Sequence, residues 1–221
     1  DDSTLYQWSD GSGNNRNAGQ GNSPDAPKYL SGVLNGKGIV DFPMSSSTLD
    51  LAAVPGVKTI FAVFKQTGAN TQTKIFGGDV TTTAANGNVA LQREGGSALI
   101  DSTVASSSFR IVSWQGDAGS YALFVDGSDK GGSSDPQGFG DLTQIGNDLV
   151  GQIAEVVAYE SMLSASTRQK IEGYLAHKWG LEDQLPSSHP YKLTLSTFGG
   201  EQGLVFQPLP DKQVGQTFQL S

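Results

Sequence analysis

The block from Gly151 to Tyr191 constrains the fold more than any other stretch of the chain. It runs from GQIAEVVAYE, a short strand of alternating character, through MLSASTRQKIEGYLAHKWGL to EDQLPSSHPY. In the middle piece Ser164 is placed as an N-cap, the helix is expected to end near Trp179, and Gly180 is placed for the left-handed position that follows a helix. Ile171, Leu175 and Trp179, spaced by four, form the apolar stripe, with Tyr174 and Lys178 at its margin. Such a helix lies across a sheet edge or rim. Pro186 and Pro190 prevent its continuation and set His189-Pro-Tyr191 down as an extended tail.

The remainder reads as strands between turns. Lys58 to Lys65 is apolar on both parities, Ile60, Ala62 and Phe64 on one and Phe61 and Val63 on the other, which predicts a central strand covered on both faces. Shorter runs are expected at Gly38–Phe42, Leu49–Leu51, Asn88–Arg93, Phe109–Trp114 and Tyr121–Val125, the last followed by the hairpin dipeptide Asp126-Gly127. Trp8-Ser-Asp-Gly-Ser-Gly-Asn14-Asn15 is turn chemistry, in which Gly supplies positive φ and Asp and Asn bond their own backbone. With 29 glycines and no cysteine, a chain of 221 residues is long enough to fold without disulfide or metal, since it can bury roughly 70% of its unfolded surface.

The block at 151–191, together with the W-x-D-x-SGN pattern at Trp8–Asn14, closely resembles the LamG-like domains of large bacterial secreted and surface proteins. The resemblance implies an all-β, two-sheet antiparallel jelly-roll sandwich of the concanavalin A-like kind, with one C-terminal amphipathic helix near 164–179. It implies a non-catalytic carbohydrate- or peptide-binding module of an extracellular adhesin. The alternatives are a structural spacer and an accessory domain of a carbohydrate-active enzyme. It also favours a secreted or surface location, between which and the cytosol the lack of cysteine does not choose. Residues 1–195 are expected to form this domain. Residues 196–221 differ in character: Gly203 to Ser221 resembles the opening of an immunoglobulin-like bacterial repeat, so neighbouring repeats of one polypeptide are expected partners. Family members usually carry one more apolar strand before the tryptophan element. Gly203 to Phe206 is therefore expected to pair with a sheet edge that the short N-terminal stretch leaves open.

A net charge of −8 and a pI near 4.6 argue against nucleic acid, whose phosphates call for clustered Lys and Arg, and against anionic membrane surfaces. No run of apolar residues approaches the ~18 of a spanning helix, so membrane insertion is not expected. Asp1-Asp2 does not open a signal peptide, so the chain reads as a processed piece.

Catalysis is the runner-up. Retaining glucanases of concanavalin-like fold resemble E-x-D-x-x-E, and Glu155 and Glu160 have the spacing of its outer carboxylates, but Val157 replaces the central Asp. Residues five apart in a regular strand face opposite ways. Glu155 is thus expected to be structural, among Ile153, Val157 and Tyr159 and held by a backbone or basic partner. His177 and His189 lack the neighbours of a triad or zinc site, and His189 is expected to pack or hydrogen-bond.

Calcium takes six to eight oxygens, which Asp- and Asn-rich turns supply, and the candidate ligands are Asp10 and Asn14 in one loop and Asp126 in another. Trp8, Trp114 and Trp179 are expected in the core. The polar region from Asp79 to Arg93 is then the candidate ligand-binding surface for a glycan or peptide, through Asp79, Asn86, Asn88, Gln92 and Arg93.

Overall fold

The computed structural model describes residues 3–21, 24–68, 72–77, 80–85, 88–93, 98–194 and 204–206. In chain order the strands are β1 (Ser3–Thr4), β2 (Gln7–Trp8), β3 (Ala18–Gly19), β4 (Lys28–Leu34), β5 (Lys37–Phe42), β6 (Leu49–Val54), β7 (Thr59–Gln66), β8 (Gln72–Gly77) and β9 (Val80–Ala85). There follow β10 (Asn88–Arg93), β11 (Ala98–Ala105), β12 (Arg110–Asp117), β13 (Ser120–Val125), β14 (Ser128–Ser133), β15 (Leu142–Ile145) and β16 (Gly151–Tyr159). Helix α1 (Ala165–Trp179) and β17 (Leu204–Phe206) complete the set. One sheet has the order β1-β4-β5-β16-β7-β12-β13-β14, with β17 against β16, and the other β11-β10-β9-β8-β15-β6-β3-β2. All pairings among the described residues are antiparallel. The described residues form an all-β, two-sheet antiparallel jelly-roll sandwich carrying one α-helix, followed by a 3₁₀ turn at Glu182–Gln184.

The two apolar parities of β7 explain its place between β16 and β12. Ile60, Ala62 and Phe64 enter the core between the sheets, where Trp8, Trp114 and Phe76 also lie. Phe61 and Val63 point the other way into a second core, closed by Ile171, Leu175 and Trp179 of α1. Trp8, Trp114 and Trp179 are all buried. Helix α1 starts and stops where its caps require: the Ser164 hydroxyl accepts from Thr167 N–H, and Gly180 takes φ 68°. The stripe is wider than its apolar residues suggest, because Arg168 and Glu172 are buried as well.

Asp126 and Gly127, with φ 50° and 74°, form the two-residue turn joining β13 to β14, and Val125 lies opposite Ser128. Two strands absent from the sequence reading, β9 (VTTTAA) and β14 (SDKGGS), have too few apolar residues to alternate visibly.

Leu204–Phe206 does pair with the sandwich, as Val156↔Phe206, Val157↔Val205 and Ala158↔Leu204. Its partner is not an outermost strand, as a sheet edge would require, but β16, which also pairs with β5 and β7. Gly203 and the expected boundary at 195 lie outside the described residues.

Candidate functional site

Each sheet has one face turned away from the common core. On the sheet containing β7, that face is sealed by α1 over a buried apolar cluster. On the other sheet no helix among the described residues covers it, and its residues follow from strand alternation. Trp8, Ala18, Leu49, Leu51 and Ile145 point inward to the core. Their neighbours Gln7, Gly19, Asp50 and Gln144 therefore point outward. The register aligns these four across the sheet, Gln7 opposite Gly19, Gly19 opposite Asp50 and Asp50 opposite Gln144, and Gln144 lies opposite Gly77. Beyond β8 the ladder continues with Phe76 opposite Thr82 and Thr81 opposite Gln92, so Gln92 stands at the far end of the row. Seven strands at about 4.8 Å spacing make this track roughly 30 Å long.

Its centre is fixed by hydrogen bonds. Asn147 Nδ2 donates to Gln144 Oε1 at 2.7 Å, and Gln144 Nε2 donates to Asp50 Oδ1 at 2.9 Å. The amide of Gln144 is thereby oriented from one side and the carboxylate of Asp50 from the other, leaving Asp50 Oδ2 as an outward acceptor beside a second amide hydrogen. A Cβ built on Gly19 would meet only the Tyr6 carbonyl oxygen at 3.5 Å, so the backbone beside Asp50 is open to close approach. Tyr6, 51% exposed, precedes Gln7 at this margin. An acceptor next to an oriented donor on an accessible sheet face suits adjacent hydroxyl groups.

Of the five expected ligand-binding residues, Asp79 and Asn86 lie outside the described residues. Asn88, Gln92 and Arg93 are all in β10, where Asn88 and Gln92 share the outward parity opposite to Val89 and Leu91. Asn88 is half-buried, Gln92 is 5% exposed, and Arg93 pairs with Val80 at the strand end. Sequence reading missed Asp50 and Gln144, since 94 residues separate them.

Glu155 and Glu160 do not form a catalytic pair. Ile153 faces Phe64 and Glu155 faces Val63, so β16 carries an extra residue at Ala154, a bulge that turns both Ala154 and Glu155 toward α1. Ile153 therefore lies on the opposite face, in the inter-sheet core, and not beside Glu155 as expected from simple alternation. Glu155 accepts from Trp179 Nε1 at 2.7 Å and pairs with Lys178 Nζ at 2.8 Å, both through Oε2. Glu160 is exposed and pairs with Arg16 at 3.2 Å.

Burial pushes the Glu155 carboxyl above its ordinary 4.5, against the opposing pull of Lys178, and Oε1 has no partner. The folded chain therefore retains a proton that the unfolded chain releases. Stability from this group is fully present below about pH 4.5 and is lost as pH rises from there through the raised folded value. Asp126 shifts in the same direction, again through burial. Urea unfolding across this range is expected to show the decline in the native chain and a smaller one in Glu155→Gln. Equal slopes in the two would remove Glu155 as its source.

His189 is buried, with Nε2 3.3 Å from Glu172 Oε2. Tyr191 N–H donates to its Nδ1, which places the imidazole proton on Nε2. His177 Nε2 lies 3.0 Å from the Tyr191 carbonyl oxygen. Both imidazoles thus tie the tail after α1 to the helix.

The candidate calcium ligands are already engaged. Asp10 accepts from Ser12 N–H at 2.8 Å, Ser12 Oγ at 2.7 Å and Arg16 N–H at 3.2 Å, and Asn14 donates to Ser12 Oγ. Asp126 gives one oxygen to Ile111 N–H and the other to Arg110 Nη1, clasping the start of β12 to the β13–β14 turn. Among the described residues no three His, Cys, Asp or Glu side chains converge. Each of these three side chains thus already makes protein hydrogen bonds within its own turn or to a neighbouring strand.

No protein-family model matches the chain, and no curated protein matches it. Among solved structures it is similar to the CBM40 of the Ruminococcus gnavus IT-sialidase bound to alpha2,3 sialyllactose, at 18% identity and a TM-score of 0.41, over 52% of this chain and 81% of that one. It is also similar to domain 4 of AbnA, a GH43 extracellular arabinanase from Geobacillus stearothermophilus in complex with arabinotriose, at 13% identity and a TM-score of 0.42, over 67% and 78% of the two chains. A native heptameric SAP-like pentraxin from Limulus polyphemus is similar at 14% identity and a TM-score of 0.42, over 54% and 72%. Likeness of this degree assigns the chain neither a ligand nor an activity.

Proposed function

We propose that this chain is a non-catalytic carbohydrate-binding module that receives its ligand on the outward row from Gln7 to Gln144. The observation that supports this reading is the Asn147–Gln144–Asp50 chain of hydrogen bonds, which orients a carboxylate and an amide on the one sheet face that α1 leaves open. The centre of the row offers the Asp50 carboxylate and the Gln144 and Asn147 amides, groups that suit the hydroxyls of a neutral sugar. In this reading the module is LamG-like and belongs to a secreted or surface adhesin of a bacterium, beside further repeats of the same polypeptide.

Isothermal titration with neutral oligosaccharides, chosen from a glycan array, tests the proposal. Asp50→Ala and Gln144→Ala are each expected to weaken binding about 10- to 100-fold, the worth of a charge-assisted hydrogen bond, with little change in melting temperature. Binding is expected to persist in EDTA, because Asp50 and Gln144 would hold a sugar through hydrogen bonds alone; loss in EDTA with recovery on adding Ca²⁺ would restore the calcium-dependent alternative. Native affinity in both variants, or an array with no hit, would overturn the site.

A further inference from the structure

The last turn of a helix leaves carbonyl groups with no partner inside the helix. At the end of α1, Ala176 O accepts from Gly180 N–H and Leu181 N–H. Lys178 O is met from outside, by Asn35 Nδ2 at 3.1 Å. Asn35 sits at the tip of the β4–β5 hairpin, where Leu34 lies opposite Lys37 and Asn35 and Gly36 form a two-residue turn with φ 49° and 69°. The approach is close, since a Cβ built on Gly180 would meet Asn35 Cγ at 3.2 Å. One side-chain amide therefore ties a hairpin of the first sheet to the end of the helix that seals the second core.

The residue that makes this tie has a reactive neighbour. The backbone nitrogen of the following residue can attack an asparagine amide, and glycine in that place has no side chain to block the approach and the widest backbone freedom to reach it. Among the described residues Asn35 is the one asparagine followed by glycine. Asn35 and Gly36 are both exposed, so water and hydroxide reach them.

We propose that Asn35 is a site of spontaneous deamidation, and that its conversion releases the C-terminus of α1 from the β4–β5 hairpin. Hydroxide takes the proton of Gly36 N–H, and the nitrogen attacks Asn35 Cγ. A new N–Cγ bond closes a cyclic imide while the Cγ–Nδ2 bond breaks and ammonia leaves. Water then opens the imide to aspartate or isoaspartate, so that amide and water become carboxylate and ammonium with no oxidation or reduction. The product has no amide hydrogen to give Lys178 O, and it sets a negative charge against the negative end of the helix dipole. Isoaspartate also lengthens the main chain within the turn and so disturbs the pairing of Leu34 with Lys37.

The test holds the full chain at mildly alkaline pH for several days, in buffer and in urea, and follows the tryptic peptide between Lys28 and Lys37 by mass spectrometry. In the folded chain this peptide is expected to gain the mass of the amide-to-acid change, and to become a substrate for an isoaspartyl methyltransferase, faster than peptides holding Asn14, Asn15, Asn17 or Asn147. Asn86-Gly87, outside the described residues, falls in the separate peptide between Lys74 and Arg93. Conversion of Asn35 in urea but not in the folded chain would overturn the site, because the turn would then protect the amide. Asn35→Asp reads the consequence without waiting on the reaction. It is expected to melt roughly 1–4 °C below Asn35→Gly, which keeps the positive φ and loses the same hydrogen bond without adding a charge. Equal midpoints for these two variants, or an Asn35→Asp chain as stable as the native one, would overturn the release of the helix end.

Discussion

Glu172→Ala is expected to lower the unfolding free energy by about 4 kcal/mol, because it leaves a buried cation without its partner. Glu172 is 1% exposed and accepts from Arg168 Nη1 at 2.6 Å and from Ser113 Oγ at 2.9 Å through one oxygen, with His189 Nε2 at 3.3 Å from the other. Its carboxylate thus ties together α1, β12 and the tail after the helix. Removing it strands the guanidinium of Arg168, itself buried and lying 3.5 Å from the ring centroid of Phe124. The cation–π contact offsets only part of that loss. In a domain of this size the change corresponds to a melting temperature lower by about 10 °C. The double variant Arg168→Met/Glu172→Leu is expected to lie much closer to the native chain, since an apolar pair of similar volume needs no desolvated charge. Urea melts of both give the comparison, and a Glu172→Ala chain within about 1 kcal/mol of native would show that the network adds little.

Trp114→Ala is expected to cost a similar amount, about 3–5 kcal/mol, for a different reason. Trp114 is fully buried between the sheets and stacks on Phe64 with ring centroids 6.2 Å apart. Its Nε1 donates to the Ala90 carbonyl oxygen at 3.1 Å, so a residue of β12 in one sheet bonds to β10 in the other. Alanine removes the packing and leaves that buried carbonyl without its partner. Trp114→Phe keeps most of the apolar volume and loses the bond, and is expected to cost about 1–2 kcal/mol. Hydrogen exchange distinguishes the contributions: the phenylalanine variant should loosen the β10 amides more than those of β7. Uniform acceleration across both sheets would mean that the indole N–H has no local role.

The central strand β7 was legible because both of its faces are apolar, and α1 because caps and stripe lie within one continuous stretch. The turn at Asp126-Gly127 was legible for the same local reason. The buried Arg168–Glu172 pair was not, since at four-residue spacing it has the pattern of an exposed surface pair and only the sheet beneath it decides otherwise. Glu155 was correctly read as structural with a basic partner, but the bulge beside it depends on the register with β7, and with it the side on which Ile153 falls. The Asp50–Gln144 contact comes from distant parts of the chain that strand order alone brings together. Within the expected binding region, Gln92 reaches the row, while Asp79 and Asn86 lie outside the described residues.

The position of β16 also bears on how the chain reaches this fold. Residues 151–159 lie in the middle of the first sheet, between strands made more than a hundred residues earlier and about eighty-five residues earlier, by the order of synthesis. Until they leave the ribosome or a translocation channel, β5 and β7 have no strand between them, and the apolar flanks of β7 lack both the strand that separates it from β5 and the helix above it. Pairing over such sequence separations makes folding slow, on the order of milliseconds to seconds. The nascent chain therefore passes through a stage with an incomplete sheet and an exposed apolar strand, when a chaperone gives it the most protection.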